Sequence, residues 1–313
     1  MGCNTCHLVH KTGDSGKSEF DFHLTKPSPA LCTECHAPGD PKLAEAHKQQ
    51  PVSKSDCLLC HDPHESERPK LLQKFVHQPF ADGACDVCHQ APKDGRVVLT
   101  QAEPKTLCVT CHEETAKQIA AAAVPHAGAM GDCTQCHDAH AGKRRGFARP
   151  DPVTACTACH ADQAAMRSTK KVLHQPAFEE GCATCHAPHG GDKPKLLRAE
   201  GNALCLNCHS NEIKPQKVAN SNQVSIFEGS VKLPANYFNR VTRLNLKYGL
   251  GHPTANHPVS DYTDPLDSTK VTKMNCLTCH NPHAGAATGL LVTDTRPTLQ
   301  FCRKCHQGMI GAR

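Results

Sequence analysis

All 22 cysteines of this 313-residue chain fall into one five-residue string, Cys-x-x-Cys-His, repeated eleven times. The pairs are Cys3 and Cys6, Cys32 and Cys35, Cys57 and Cys60, Cys85 and Cys88, Cys108 and Cys111, Cys133 and Cys136, Cys156 and Cys159, Cys182 and Cys185, Cys205 and Cys208, Cys276 and Cys279, and Cys302 and Cys305. Each is followed at once by a histidine: His7, His36, His61, His89, His112, His137, His160, His186, His209, His280 and His306. Two common uses of paired cysteines put no demand on that histidine. A disulfide framework needs sulfur alone, and zinc ribbons give no reason for His at the fifth place every time. Covalent haem does give one. Two thiols three residues apart lie on one side of a helical turn and reach two vinyl groups of a single porphyrin, and the next residue reaches the iron as proximal ligand. The sequence therefore predicts eleven covalently bound haem c groups.

A chain with this load is not an ordinary pair of domains. Its aromatic residues are nine Phe and three Tyr, with no Trp, and long apolar runs are scarce. Large apolar side chains are what offset chain entropy in a protein core. Here the porphyrins must supply that surface, at about 28 residues of polypeptide per haem. The expected fold is coil-rich, with short α-helices and little β-structure, elongated along its haem repeat and lacking a conventional hydrophobic core. The formal charge of +5 reverses once the cofactors are counted. Each haem brings two propionates against one ferric charge, which takes the assembly to about −6 oxidised and about −17 reduced. The 35 Lys and Arg, with the cluster Lys143, Arg144, Arg145 and Arg149, then read as local compensation or solvated loops, and nucleic acid is not an expected partner.

The motifs recur about every 25 residues, apart from one interval of 71 before Cys276, which is the mark of a repeat architecture. A finer unit lies within it. The stretch from His174 to His209 runs through an upstream His, a motif written CHAPH, a Leu-Leu pair and a second motif, and His257 to His306 repeats that order. Pairing gives doubled units at Cys3 with Cys32, Cys85 with Cys108, Cys133 with Cys156, Cys182 with Cys205, and Cys276 with Cys302, leaving Cys57 as a half unit. In this the chain resembles the doubled Cys-x-x-Cys-His multihaem cytochromes c, a group that includes decahaem cytochromes threaded through outer-membrane porins and relatives of extracellular cytochrome filaments. The resemblance covers residues 1–209 and 252–313. It implies a nine-haem repeat region over residues 1–209, a haem-free insert over 210–275 and a two-haem C-terminal unit over 276–313. Within the insert the alternating segments Val224 to Leu233 and Val241 to Tyr248 predict a β-hairpin or small strand pair, serving as a spacer or a docking surface. Glu113 to Val124 and Ala161 to His174 read as helices, with acidic first turns and good helix formers after them.

Twelve histidines remain for eleven second ligands. Five follow a motif as CHxxH: His10, His64, His140, His189 and His283. Such a residue sits one helical turn, about 5 Å, from the proximal His of its own haem and cannot pass around the porphyrin to the opposite face, so it is expected to serve a neighbouring iron. The others are His23, His47, His77, His126, His174, His252 and His257. His252 and His257 compete for one role, and the HP-V context favours His257. The five Met show no repeated placement, so His/Met ligation is a minor option.

Two imidazoles per iron leave no open position for substrate. The expected function is long-range electron transfer through a continuous chain of eleven bis-His haems, exchanging electrons with redox partner proteins or extracellular acceptors. A multihaem reductase of a nitrogen or sulfur oxyanion would need one open iron, and the spare histidines suffice to cap them all. Catalytic residues are therefore not expected. Covalent haem attachment takes place outside the cytoplasmic membrane, so the chain is expected in the periplasm, at an outer-membrane porin or outside the cell as a filament, its secretion signal absent from the residues shown.

Overall fold

The computed structural model of the chain describes residues 2–8, 24–144, 146, 152–246, 257–260, 262–293 and 299–306. It divides into two compact units, Met1–His112 with Asp132–Asp151, and Glu113–Gly131 with Pro152–Arg313. Short helices and small sheets joined by coil make up both. Among the described residues no helix is long and apolar enough to cross a membrane, and no large side chain is fully buried.

The haem motifs take two local forms. The opening motif of a doubled unit folds as a single 3-10 turn, as at Cys85–Val87, Cys133–Gln135 and Cys182–Thr184. Asp132 caps its turn by accepting from the Thr134 amide at 2.8 Å, and in the half unit Asp56 does the same for Leu58 at 3.0 Å. At the last unit the opening motif is a one-turn α-helix, Cys276–Cys279, with a reciprocal capping box between Asn275 and Thr278. The closing motif of the first unit is a 3-10 turn as well, Cys32–Glu34, while that of the other four is carried on an α-helix: Pro104–Val109, Pro152–Thr157, Gly201–His209 and Gln300–Arg303. Pro at N1 in two of these costs no hydrogen bond, because the first amides of a helix have no internal partner.

Two recurring devices hold the motifs in place. In the first, the chain after an opening motif loops out and returns. The amides of Gln73, Arg198 and Val292 donate to the carbonyls of Cys60, Cys185 and Cys279, at 2.7, 2.9 and 3.1 Å. The turn needed for this return puts Lys70, Lys195 and Gly289 in the left-handed region, with φ of 61°, 56° and 75°. In the second, two-residue antiparallel ladders join distant segments. In the first unit β1 (Phe75–Val76) pairs with β4 (Ala141–Gly142), and a bulged hairpin, β2 (His89–Lys93) with β3 (Arg96–Leu99), replaces the usual return loop. In the second unit β5 (Val172–Leu173) pairs with β9 (Ala284–Gly285), and Val124 bridges Gly191.

The haem-free region builds a three-stranded antiparallel sheet from β6 (Gln216–Lys217), β7 (Gln223–Ile226) and β8 (Val231–Pro234). The expected β-hairpin is thus present, closed within Val224 to Leu233. Phe227, Glu228 and Gly229 turn it back with φ of 50°, 56° and 91°. The second segment, Val241 to Tyr248, forms no strand over its described part, 241–246, where Leu244 bridges Ser210 in parallel; Lys247 and Tyr248 lie outside the described residues. Ile226, Phe227, Val231 and Leu233 pack with Leu204 of the Gly201–His209 helix, and Tyr237, Phe238, Cys185 and Cys208 lie against them.

The helix from Glu113 ends at Ala121, short of Val124, and the helix from Ala161 ends at Thr169, short of His174. In both cases the last residues leave the helix for a ladder with a distant segment. His174 itself donates its amide to the His283 carbonyl at 2.9 Å.

Candidate haem-binding sites

The histidines predicted as iron ligands come together in pairs, each joining a proximal His to a His outside the motif strings. In the first unit His7 lies beside His64 with ring centres 5.7 Å apart, His61 beside His47 at 6.2 Å, His89 beside His140 at 5.8 Å and His112 beside His77 at 6.0 Å. In the second, His160 lies beside His126 at 6.3 Å, His186 beside His283 at 6.1 Å, His209 beside His174 at 6.2 Å and His306 beside His257 at 6.0 Å. An imidazole nitrogen sits about 1.1 Å from its ring centre and bonds a first-row metal at about 2.0–2.1 Å. Two imidazoles facing one another across one iron therefore put their ring centres about 6.3 Å apart, and the observed spacings fit that arrangement. His10, His23 and His252 lie outside the described residues. His36, His137, His189 and His280 are among the described residues.

The pairing has a rule. His64, His140 and His283, which follow their own motif as CHxxH, each face the proximal His of the motif two places earlier. The upstream histidines His77, His126 and His174 each face the closing motif of their own doubled unit. His47 departs from this and faces His61 of the half unit. The short ladders explain why both ligand types arrive together. β1 against β4 fixes His77 next to His140, and β5 against β9 fixes His174 next to His283. One clip thus brings a non-motif histidine beside the proximal histidine of both motifs of a unit.

The other ring nitrogen of many of these histidines is held as well. Nδ1 of His61, His186 and His280 donates to the carbonyl nine residues on, at Lys70 (2.9 Å), Lys195 (2.8 Å) and Gly289, and His137 does the same to Gly146 at 2.6 Å. These are the left-handed residues of the return loops, placed just before the Leu-Leu pair in three of the four. Nδ1 of His77, His126 and His174 donates to Ala139 (2.9 Å), Pro188 (2.6 Å) and Pro282 (2.6 Å), the residue preceding the CHxxH histidine in each case. A carbonyl only accepts, so Nδ1 carries the proton and the Nε2 lone pair is free for iron. Burial pushes His89, His174 and His283 toward the neutral form that a metal requires. None of these carbonyl acceptors was visible as a site in the sequence. The repeated Pro-Lys-Leu-Leu and CHxPH strings were the only trace of them.

The thiols show the same regularity. Between neighbouring units the first cysteines meet, Cys32 with Cys57, Cys108 with Cys133, and Cys205 with Cys276, each pair sharing a hydrogen bond. Within a unit the second cysteines are neighbours, Cys88 to Cys111, Cys185 to Cys208, and Cys279 to Cys305. Burial, with a neighbouring thiol, pushes Cys108 and Cys208 up to about 11. Cys60, Asp138 and His140 also come close enough to hold a metal ion, but Cys60 and His140 belong to the haem sites just described.

The Doubled CXXCH motif family matches residues 49–75, 77–117, 126–165, 174–214 and 269–311. The last four matches each cover one doubled unit, and the first covers the half unit at Cys57. No curated protein matches the chain. Together the five matches span more than half of its length, and the chain belongs to the doubled CXXCH motif family of multihaem c-type cytochromes, exported electron-transfer proteins that carry covalently bound haem c.

Proposed function

We propose that this cytochrome is an electron conduit, with eleven haem c groups each capped by two imidazoles and arranged as one continuous run. When bound, haem supplies one-electron ferric/ferrous chemistry. The pairing of eight proximal histidines with eight others at 5.7–6.3 Å carries the reading. A residue set that fills both axial positions leaves small molecules no place to bind, which favours a conduit over an oxyanion reductase. The alternating cysteine contacts support a run of neighbouring attachment sites, through motifs four to six and again through motifs eight to eleven. The carbonyl-held Nδ1 protons fix imidazole orientation, so the ligand set needs little rearrangement as charge on the iron changes.

Carbon monoxide titration of the fully reduced protein tests the capping. No stoichiometric binding is expected, and one equivalent bound per chain would point to a reductase. Solution scattering tests the elongation. A compact chain of this length has a radius of gyration near 20 Å; a clearly larger value is expected. The conduit is further proposed to exchange electrons with redox proteins or extracellular acceptors, in the periplasm, within an outer-membrane porin or as a self-associated filament. Negative-stain microscopy of purified material separates those three.

A further inference from the structure

The carbonyl acceptors are not shared equally among the paired histidines. The sites of His112 with His77, His160 with His126, and His186 with His283 each hold one Nδ1 proton on a carbonyl, through His77, His126 and His186. The His89–His140 site holds none. His89 Nδ1 is buried without a partner, because the hairpin β2–β3 stands where the return loop would supply a carbonyl, and His140 Nδ1 has only the Asp138 carboxylate at 3.9 Å. Both rings are held at the His47–His61 site of the half unit, where His47 donates to Leu43 at 2.8 Å and His61 to Lys70 at 2.9 Å, and at the His174–His209 site. His174 donates to Pro282, and His209 donates at 2.7 Å to the carbonyl of Thr242.

Thr242 belongs to the haem-free insert. No such acceptor serves His112 or His160, the equivalent proximal residues of two other doubled units. The insert is built onto motif nine to make this contact. Leu244 donates its amide to the His209 carbonyl at 2.6 Å, and Asn211 donates to the Leu244 carbonyl at 3.0 Å. The sheet that steadies this segment rests on the same helix, with Leu204 buried under Ile226, Val231 and Leu233. The Phe227 amide donates to Asn207 Oδ1 at 3.1 Å.

We infer that the haem-free insert is a tuning cap, whose Thr242 carbonyl lowers the reduction potential of the ninth haem site by adding a second held imidazole to it. A proton drawn toward a carbonyl makes the opposite nitrogen a stronger donor, and a stronger donor favours ferric iron. The ninth site thereby lies below the eighth, its neighbour through Cys185 and Cys208, and the His89–His140 site lies at the high end. The insert is neither a spacer nor only a docking surface: it sets a step in the energy profile of the run. This rests on the two-imidazole reading of the site.

Leu244→Pro removes the amide that ties Thr242 to Leu244 against His209, whereas Leu244→Ala keeps it. A potentiometric titration followed by electron paramagnetic resonance and optical spectra reads the effect. The ninth component is identified by its loss in a Cys205→Ala/Cys208→Ala variant. In L244P that component is expected to move to higher potential while the others stay, and in L244A none should move. An unmoved ninth component in L244P, or an equal shift in L244A, overturns the inference. Should L244P fail to mature with its full haem content, Leu233→Ala loosens the same cap from its core, and an unmoved ninth component there overturns the inference equally. Carbon monoxide bound at this site in the reduced wild type would overturn the two-imidazole reading itself.

Discussion

His174 donates its Nδ1 proton to the carbonyl oxygen of Pro282 at 2.6 Å, across 108 residues of sequence. The same histidine faces His209, and the residue after Pro282 is His283, which faces His186. One hydrogen bond therefore ties together the two rings proposed as second ligands of neighbouring sites. His174→Ala removes the proposed second ligand of the ninth site and the bond to Pro282 at once. We expect one haem of the oxidised variant to become high-spin, and the reduced variant to take up one equivalent of carbon monoxide. Optical titration checks both, and a low-spin variant that excludes carbon monoxide would remove His174 from the ligand set.

A second consequence concerns the ladder itself. Gly285 pairs with Val172 in the β5–β9 ladder, and a Cβ at this position would run into the backbone of Leu290. Neither partner can move freely, since Leu290 belongs to the loop that holds His280. Gly285→Ala is expected to destabilise by about 1–3 kcal/mol, the usual cost of overpacking. Because the strain falls next to His283, the ligand of the eighth site should loosen first. Thermal unfolding followed in the Soret band measures the first effect, and a rising high-spin fraction below the midpoint the second.

The haem-free chain should be largely unfolded. Among the described residues the buried apolar side chains are few, and several of the largest belong to the one small cluster of the insert. The two-residue ladders are far too short to persist alone. Far-ultraviolet circular dichroism of chain produced without haem attachment is expected to lack most helical signal, and a native-like spectrum would refute this.

The haem c motifs and four of the doubled units were legible because covalent attachment imposes a rigid residue pattern. His64, His140 and His283 each stand beside the proximal histidine of another motif, as the short reach of a single helical turn leads one to expect. What sequence could not supply was the partner of each histidine. That depends on ladders such as Phe75 with Gly142, which contain too few residues to carry a periodic signal. The acceptors were hidden for a different reason: Thr242, Pro188 and Ala139 act through backbone carbonyls, to which side-chain identity gives almost no clue. The expected hairpin of the insert lies wholly within Val224 to Leu233, which alternates across its own turn. Phe227 and Glu228 adopt positive φ there, where Asn-Gly or Asp-Gly would have advertised a hairpin.

The return loops offer a test in which the protein supplies its own controls. Equivalent positions hold Lys70, Lys195, Gly146 and Gly289, with φ of 61°, 56°, 79° and 75°, and in each case the carbonyl accepts from a proximal histidine. A left-handed conformation costs an L-residue about 1–2 kcal/mol and glycine far less. Part of that gain is returned, because glycine adds freedom to the unfolded chain. Lys195→Gly is therefore expected to stabilise by less than about 1 kcal/mol, and the reciprocal Gly289→Lys to destabilise. The half unit should respond to Lys70→Gly in the same direction. Denaturant titration gives these signs, and the optical spectrum should stay unchanged in all three variants, since the carbonyl remains in place. A destabilised K195G would mean that the lysine side chain, and not the turn alone, holds this loop.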